Sequence, residues 1–443
     1  MLLNLSLSNW MSYRDDAELN LVGSLERQHK ETLAKLPGFR SKYVLPVAAI
    51  YGGNASGKTN IFKALSALRL MVTADCGVSG TLPVDPFRLD SASVNEPTCF
   101  DVMFLAGSSV YRYYLEASAD HVCSESLELV SESGDRLIFE RDDAGAFTFG
   151  EGMFSEVEHV GYAAKSTRGN QLFLQSAVAQ NVNELMEPYL WFAQSLELVG
   201  VGSQAWSFAT AAGSRDGFLA FASSMLSQLD TGISRLVGEP VGEDVLPRDA
   251  GLRKRVASLS EGEILTVLLE GAGGDYGFEM LTVRKGVTGP DVERLRTVHA
   301  GPDGREHRFS LGMESSGTKR LMGLLPMLFD LSTGNVAGEK VFVVDELDRC
   351  LHTMLTKRLV QDILATCGPG TRKQMLFTTY DLLLMDQSIM RRDEMYITER
   401  DATGESELIA LAEYRDLRYD KDLVRSYLDG RFGGIPMFGG SSR

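Results

Sequence analysis

No C-x-x-C pair exists among the five cysteines of this 443-residue chain; Cys76, Cys99, Cys123, Cys350 and Cys367 are scattered along it. That spacing indicates neither a zinc ribbon nor a disulfide framework, so reduced thiols are expected. No run of about 18 uninterrupted apolar residues is present to span a bilayer, and MLLNLSLSNW at the start is too broken by polar residues for a signal peptide. A soluble, cytoplasmic protein without a membrane partner is expected. Positive charge is scarce: the formal net charge is -16. This excludes a surface that coats nucleic acid by charge alone and leaves only a local basic strip or a partner's surface for that purpose. The six histidines show no H-x-x-x-H or HNH-like spacing, so the chain carries no recognisable nuclease metal cluster. Internal repeats, low-complexity tracts and sustained heptads are also missing, which excludes a coiled-coil arm.

What is present is enough to build a large core or two moderate ones: 44% of the residues are hydrophobic and 9% aromatic. Alternation in LLNLSLSNW followed by AELNL predicts a hairpin of strands feeding the buried strand VLPVAAIYG. CFDVMFL, VYRYYLEA, SLELV and RLIFE read as short strands of a β-rich lobe. From about residue 169 the pattern changes, and QLFLQSAVAQ, ELMEPYLWFAQSL and GFLAFASSMLSQL carry the helical period. LTVLLE, GFEMLTVRKG and EHRFS then read as strands returning to a sheet. After Gly317 a helix, the buried strand KVFVVDE, another helix and the strand QMLFTTYD follow.

The segment GGNASGKT, Gly52 to Thr59, satisfies the pattern G-x-x-x-x-G-K-[ST], with a strand before it and the helical IFKALSALRLMV after it. Gly52 and Gly57 let backbone N–H groups converge on phosphate oxygens, Lys58 reaches the β and γ phosphates, and Thr59 offers its hydroxyl to Mg²⁺. The nucleotide cradle expected here is Gly52, Gly53, Asn54, Ala55, Ser56, Gly57, Lys58, Thr59 and Asn60. KVFVVDELD supplies four apolar residues, Val341 to Val344, ending in Asp345 and Glu346. Asp345 is assigned to the metal with Thr59, and Glu346 to polarising the attacking water. ATP and Mg²⁺ are the expected cofactors, and the fold class is α/β, a P-loop NTPase.

FSLGMESSGTKRLMGLLPML narrows the class. Serine and glycine at a helix start present donors to an anion, and by themselves also make an ordinary helix cap. ESSGTKRL resembles the signature motif of ABC-type ATPases of the SMC, RecF and OLD group. The resemblance implies that Ser315, Ser316 and Gly317 bind the γ phosphate held by the other subunit, in an ATP-dependent homodimer. SNWMSYRD resembles the strand turn that opens such heads, which places Trp10 and Arg14 near the nucleotide. ELDRCLH resembles the D-loop, with Asp348 and His352 in it; a plain surface histidine is the other reading of His352. In QMLFTTYD, Tyr380 stands where the resemblance places a switch histidine. Its hydroxyl can donate one hydrogen bond to a phosphate oxygen but cannot serve as a cationic contact near neutrality, and packing at the strand end is the other reading.

PFRLD, EPTCFDVMF, LFLQSAV, QLDTGI, RRDEMYITERD and YLDGRFGGIP resemble segments of the stand-alone bacterial ATPases of phage-defence and abortive-infection loci. Relatives with this architecture include ATPases of PARIS, Septu and retron-type systems. The resemblance implies an ABC ATPase head with a β-rich lobe and a helical insert. Its divisions are residues 1–168 with Walker A and the β subdomain, 169–240 as the insert, and 241–443 with signature, Walker B, D-loop and switch. It also implies an ATPase, slow given Tyr380 as a catalytic-site residue with Lys58 and Glu346, that controls a nuclease or toxin encoded nearby. Two other functions compete: a RecF-like DNA-binding repair ATPase, supported by the basic runs at 253–255, 305–308 and 318–320, and an ATP-locked structural scaffold. The GRFGGIP tail and the helical insert are candidates for partner docking or for core packing.

Overall fold

The computed structural model describes residues 1–200, 204–270, 278–287, 289–332, 338–414 and 422–434; the last two residues of the GRFGGIP tail lie outside them. The chain forms two compact units. One comprises Met1–Leu198, Ala337–Leu347 and Val360–Arg443, the other Val199–Val336 and Asp348–Leu359.

The first unit holds two large sheets. A seven-stranded antiparallel sheet runs in the order Phe147–Phe149, Arg136–Arg141, Val122–Val130, Ser109–Ala117, Thr98–Ala106, Leu2–Ser8, Ala17–Asn20. Its strands alternate buried and half-buried residues, as Leu5, Leu7, Phe100 and Val102 do, because one face meets the core. The N-terminal hairpin, expected only to lead into the next strand, belongs to this sheet: Leu5 pairs with Val102 and Leu7 with Phe100. The second sheet is ordered Leu196–Val199, Lys340–Val344, Lys373–Thr378, Val47–Gly52, Met395–Arg400, Ser406–Ala410. The strands from Lys340–Val344 to Met395–Arg400 pair in parallel. Val47–Gly52, in the middle, is buried at every position, which explains its unbroken apolar run. One core joins both sheets and the helix Lys58–Thr73, through Leu65, Leu68, Phe104, Val341 and Leu376.

The helical stretch that begins near residue 169 divides between the units. Phe173–Ala179 and the turns through Ser195 close over the first unit's core, where Trp191 stacks on Phe104 at 4.3 Å between ring centroids. Gln204–Ser214 and Phe218–Gln228 lie in the second unit, with Phe218 and Phe221 edge-on to Phe329 of the long helix Ser316–Ser332.

The second unit carries a five-stranded sheet: Ile233–Val241, Pro290–Ala300, Phe278–Lys285 and Ile264–Glu270 in order, with Glu306–Ser310 also pairing Pro290–Ala300. Two of these strands gave no clear apolar alternation because charges line their neighbours: Arg296 pairs with Glu239 and Glu279, and Arg284 with Glu293. Ion pairs across strands substitute for the hydrophobic period there.

Candidate functional site

The centre of the parallel sheet fixes the site. Val47–Gly52 ends where the loop 53–57 turns into the helix Lys58–Thr73, and Gly57 enters that helix at φ 110°, a conformation that favours glycine. A Cβ on Gly52 would meet the Thr398 hydroxyl oxygen at 2.4 Å and Ser56 Oγ at 2.6 Å, so the cradle admits no side chain there. Ser56 Oγ and Thr398 Oγ1 share a hydrogen bond of 2.5 Å. The helix start carries no side-chain cap, so its first turn keeps the N–H geometry and the positive dipole end that favour an anion. Asn54 and Ala55 are exposed at the crest of the loop.

Lys58 is buried. Its ammonium donates to the carbonyls of Gly52 and Gly53, both at 2.8 Å, and sits 3.8 Å from the centroid of the Tyr380 ring. Cation–π contact over a tyrosine face is worth about 0.5–2 kcal/mol depending on desolvation. Tyr380 itself is 44% exposed. Its ring therefore meets the loop lysine, a contact that neither sequence reading of Tyr380 contained.

Asp345 follows the buried strand Lys340–Val344. Its Oδ1 accepts from Thr378 Oγ1 at 2.7 Å and from Thr59 Oγ1 at 3.2 Å. Two oxygens sharing an edge of a Mg²⁺ octahedron stand about 3.0 Å apart, given metal–oxygen distances of about 2.1 Å. The Thr59–Asp345 pair thus has the donor chemistry and the spacing for that ion. Glu346, next in the chain, adopts φ 49°, and its N–H donates to Thr378 Oγ1 at 2.8 Å. A positive φ is uncommon for glutamate, and this one turns the chain sharply at the strand end. Thr378 links both acids, and the sequence reading passed over it; its signal was the TT pair before Tyr380, at the end of the strand adjacent to Lys340–Val344.

The turn at residues 10–13 braces the same helix start. Trp10 Nε1 donates to the Asn60 carbonyl at 2.8 Å, Asn60 Nδ2 donates to Ser12 Oγ at 2.7 Å, and the Tyr13 hydroxyl reaches the Gly57 carbonyl at 3.3 Å. Ser406 Oγ donates to Ser12 Oγ. Asn60 is accordingly occupied by this turn. Arg14 points its guanidinium at Glu405, 2.6 Å away, and at Asp15; these acids, with hydrogen bonding to Asp15 foremost, raise its pKa.

In the second unit Ser315 caps the helix Ser316–Ser332: its Oγ accepts from the Thr318 N–H at 3.1 Å. A Cβ on Gly317 would meet the Cys350 carbonyl at 2.7 Å, so glycine there permits close approach of the segment holding Asp348 and His352. Ser316 begins the helix, and His352 is exposed, its Nδ1 accepting from the Met354 N–H.

A family model described as "AAA domain, putative AbiEii toxin, Type IV TA system" matches residues 47–386. That span includes the glycine loop, Ser315–Gly317, Asp345, Glu346 and Tyr380, but not Arg14. No curated protein matches the chain. Among solved structures, the chain is similar to one described as "Crystal structure of the SmcHead bound to the C-winged helix domain of ScpA", at 12% identity and TM-score 0.45, with 92% of this chain and 97% of that one covered. It is also similar to the "SMC head domain from Thermotoga maritima", at 12% identity and TM-score 0.37, covering 92% and 98%. Among the described residues, no helix is long and apolar enough to cross a membrane.

Proposed function

The chain belongs to the AAA domain family whose model spans residues 47–386, and on that premise we propose that it is an ATPase that closes as a homodimer on ATP and controls a partner effector, a nuclease or toxin, in anti-phage defence. The observation that carries the enzymatic part is the convergence of Lys58, Thr59, Asp345 and Thr378 at the mouth of an uncapped helix that follows a glycine loop. The N–H groups of residues 53–60 and the Lys58 ammonium bind the phosphates, Thr59 and Asp345 hold Mg²⁺, and Glu346 orients and deprotonates the attacking water. Mg²⁺ held there would neutralise charge on the phosphates. Ser315, Ser316 and Gly317 of the second copy complete the site, and Arg14 flanks it. Lobes at 1–168 and 241–443 with an insert at 169–240 remain the proposed functional divisions.

The family description names a toxin and a toxin–antitoxin system, which supports the effector-control reading over chromosome or repair work. The RecF-like alternative loses part of its charge support. Arg305 pairs with Asp303, Arg308 with Glu239, and Arg320 is buried. The runs 253–255, on the helix Ala250–Ala257, and 305–308 are exposed at every position.

Binding of ATP measured with and without Mg²⁺ tests the site. Lys58→Ala should remove binding, and Asp345→Asn should leave weak binding that no longer responds to Mg²⁺. A Lys58→Ala protein that binds ATP as the parent does would refute the assignment. Copurification from the native host should bring down the effector; salt-dependent, ATP-dependent binding of DNA by the isolated protein would favour the repair reading instead.

A further inference from the structure

At one end of the seven-stranded sheet, in the first unit, three side chains of different donor chemistry converge. His121 Nε2 lies 3.4 Å from Cys123 Sγ and 3.3 Å from Asp143 Oδ1, and the three ligand atoms all fall within 4.8 Å of one another. The backbone produces this meeting. His121 and Cys123, two apart as the strand Val122–Val130 begins, fall on one face by strand alternation. In the pairing with Arg136–Arg141, Glu125 stands opposite Arg141. Asp143 follows that strand in the turn closed by the Gly145 N–H to the Asp142 carbonyl at 2.9 Å, which brings its carboxylate beside His121.

The histidine is also oriented. Ser118 Oγ lies 2.9 Å from His121 Nδ1, so the Nδ1–H tautomer that a metal at Nε2 requires has a hydrogen-bond acceptor in place. In that tautomer Nε2 offers its lone pair to a metal, the arrangement by which an outer hydrogen bond fixes a ligating imidazole. The tight turn from Ser118 to His121, closed by Ser118 N–H to the His121 carbonyl at 3.0 Å, holds this in place.

Donor type and spacing select the class of ion. With zinc bonds of about 2.3 Å to sulfur, 2.05 Å to nitrogen and 2.0 Å to oxygen, tetrahedral edges are about 3.5 Å for N–S and about 3.3 Å for N–O. The observed 3.4 and 3.3 Å match these. A thiol excludes Mg²⁺ and Ca²⁺, which take oxygen ligands. We propose that His121, Cys123 and Asp143 form a binding site for Zn²⁺, with the fourth position open to water. Binding displaces the Cys123 thiol proton to solvent.

Full-length protein stripped by chelator and titrated with Zn²⁺ by calorimetry, and with Co²⁺ followed by its thiolate charge-transfer absorbance, tests this. The parent should bind one equivalent and show the Co²⁺ band. Cys123→Ser should lose the band, and Cys123→Ser, His121→Ala and Asp143→Asn should each weaken Zn²⁺ at least ~10-fold, a loss that even outer hydrogen-bond partners of metal ligands produce. Lys58→Ala should bind Zn²⁺ as the parent does, which separates this site from the nucleotide site. Absence of the Co²⁺ band in the parent, or equal Zn²⁺ affinity in the parent and Cys123→Ser, would overturn the proposal. The three side chains are exposed or half-exposed, and unchanged melting curves of the metal-free variants exclude misfolding as the cause.

Discussion

At the residue scale, Tyr380 and Thr378 do the least expected work. The Tyr380 ring lies against the Lys58 ammonium, and phosphate must compete with that contact. Tyr380→Ala is therefore expected to tighten ATP about 2–5-fold, the equivalent of roughly 0.5–1 kcal/mol of lost cation–π stabilisation, whereas Tyr380→Phe keeps the ring and should bind as the parent does. Equilibrium titration with a fluorescent ATP analogue decides, and a loss of affinity in Tyr380→Phe would assign the effect to the hydroxyl. Tyr380→His should raise turnover, since imidazole can act as a cation near neutrality. Thr378 donates to Asp345 and accepts from the Glu346 N–H. Thr378→Val leaves both without that partner and should cost about 1–3 kcal/mol of stability, read from urea unfolding, and raise the Mg²⁺ concentration needed for turnover. Tyr380 was visible in the sequence as a tyrosine at a hinge; its partner was not, because a contact between residues 58 and 380 depends on two strands lying side by side.

At the scale of elements, the strand, loop and helix around Gly52–Thr59 were readable because buried parallel strands and amphipathic helices leave opposite periods. The N-terminal hairpin was readable as strands but not as a member of the β lobe's sheet, since its partner Thr98–Ala106 lies far along the chain. The helical stretch after residue 169 was readable as helices but not as shared between two units. Apolar periodicity shows that a face is buried and not which core buries it. The RRDEMYITERD segment, read only as a family mark, proves to be a buried charge network. Arg391 forks onto Asp393 and also reaches the Glu26 and Gln28 carbonyls, while Glu394 accepts from the Arg391 N–H. Burial, with the charges of Asp393 and Glu26 adding, pushes the Glu394 carboxyl from 4.5 up to about 8. The folded state thus holds a proton that the unfolded chain releases. Stability from this group is full below about pH 4.5 and is lost as pH rises toward about 8. Glu394→Gln should flatten the fall in melting temperature between those limits, and an unchanged slope would show that another group carries it.

At the scale of the whole molecule, the proposed ATPase completes each nucleotide site with residues of a second copy. Ser315 caps its own helix and Gly317 approaches Cys350 closely, so both positions have a structural role in their own unit beside the one proposed at the second copy's phosphate. Gly317→Ala, with a Cβ forced to 2.7 Å from the Cys350 carbonyl, should abolish the ATP-dependent dimer in light scattering while monomer nucleotide binding persists. The central claim is that this chain hydrolyses ATP with Glu346 as the water-activating residue. The most direct measurement is single-turnover hydrolysis by the parent and by Glu346→Gln at equal ATP occupancy. Glu346→Gln should bind ATP, accumulate as a dimer and turn over ~10²–10⁴-fold more slowly, the range for loss of a general base. Equal rates in the two proteins would contradict it, and equal rates near zero would make the nucleotide a structural lock.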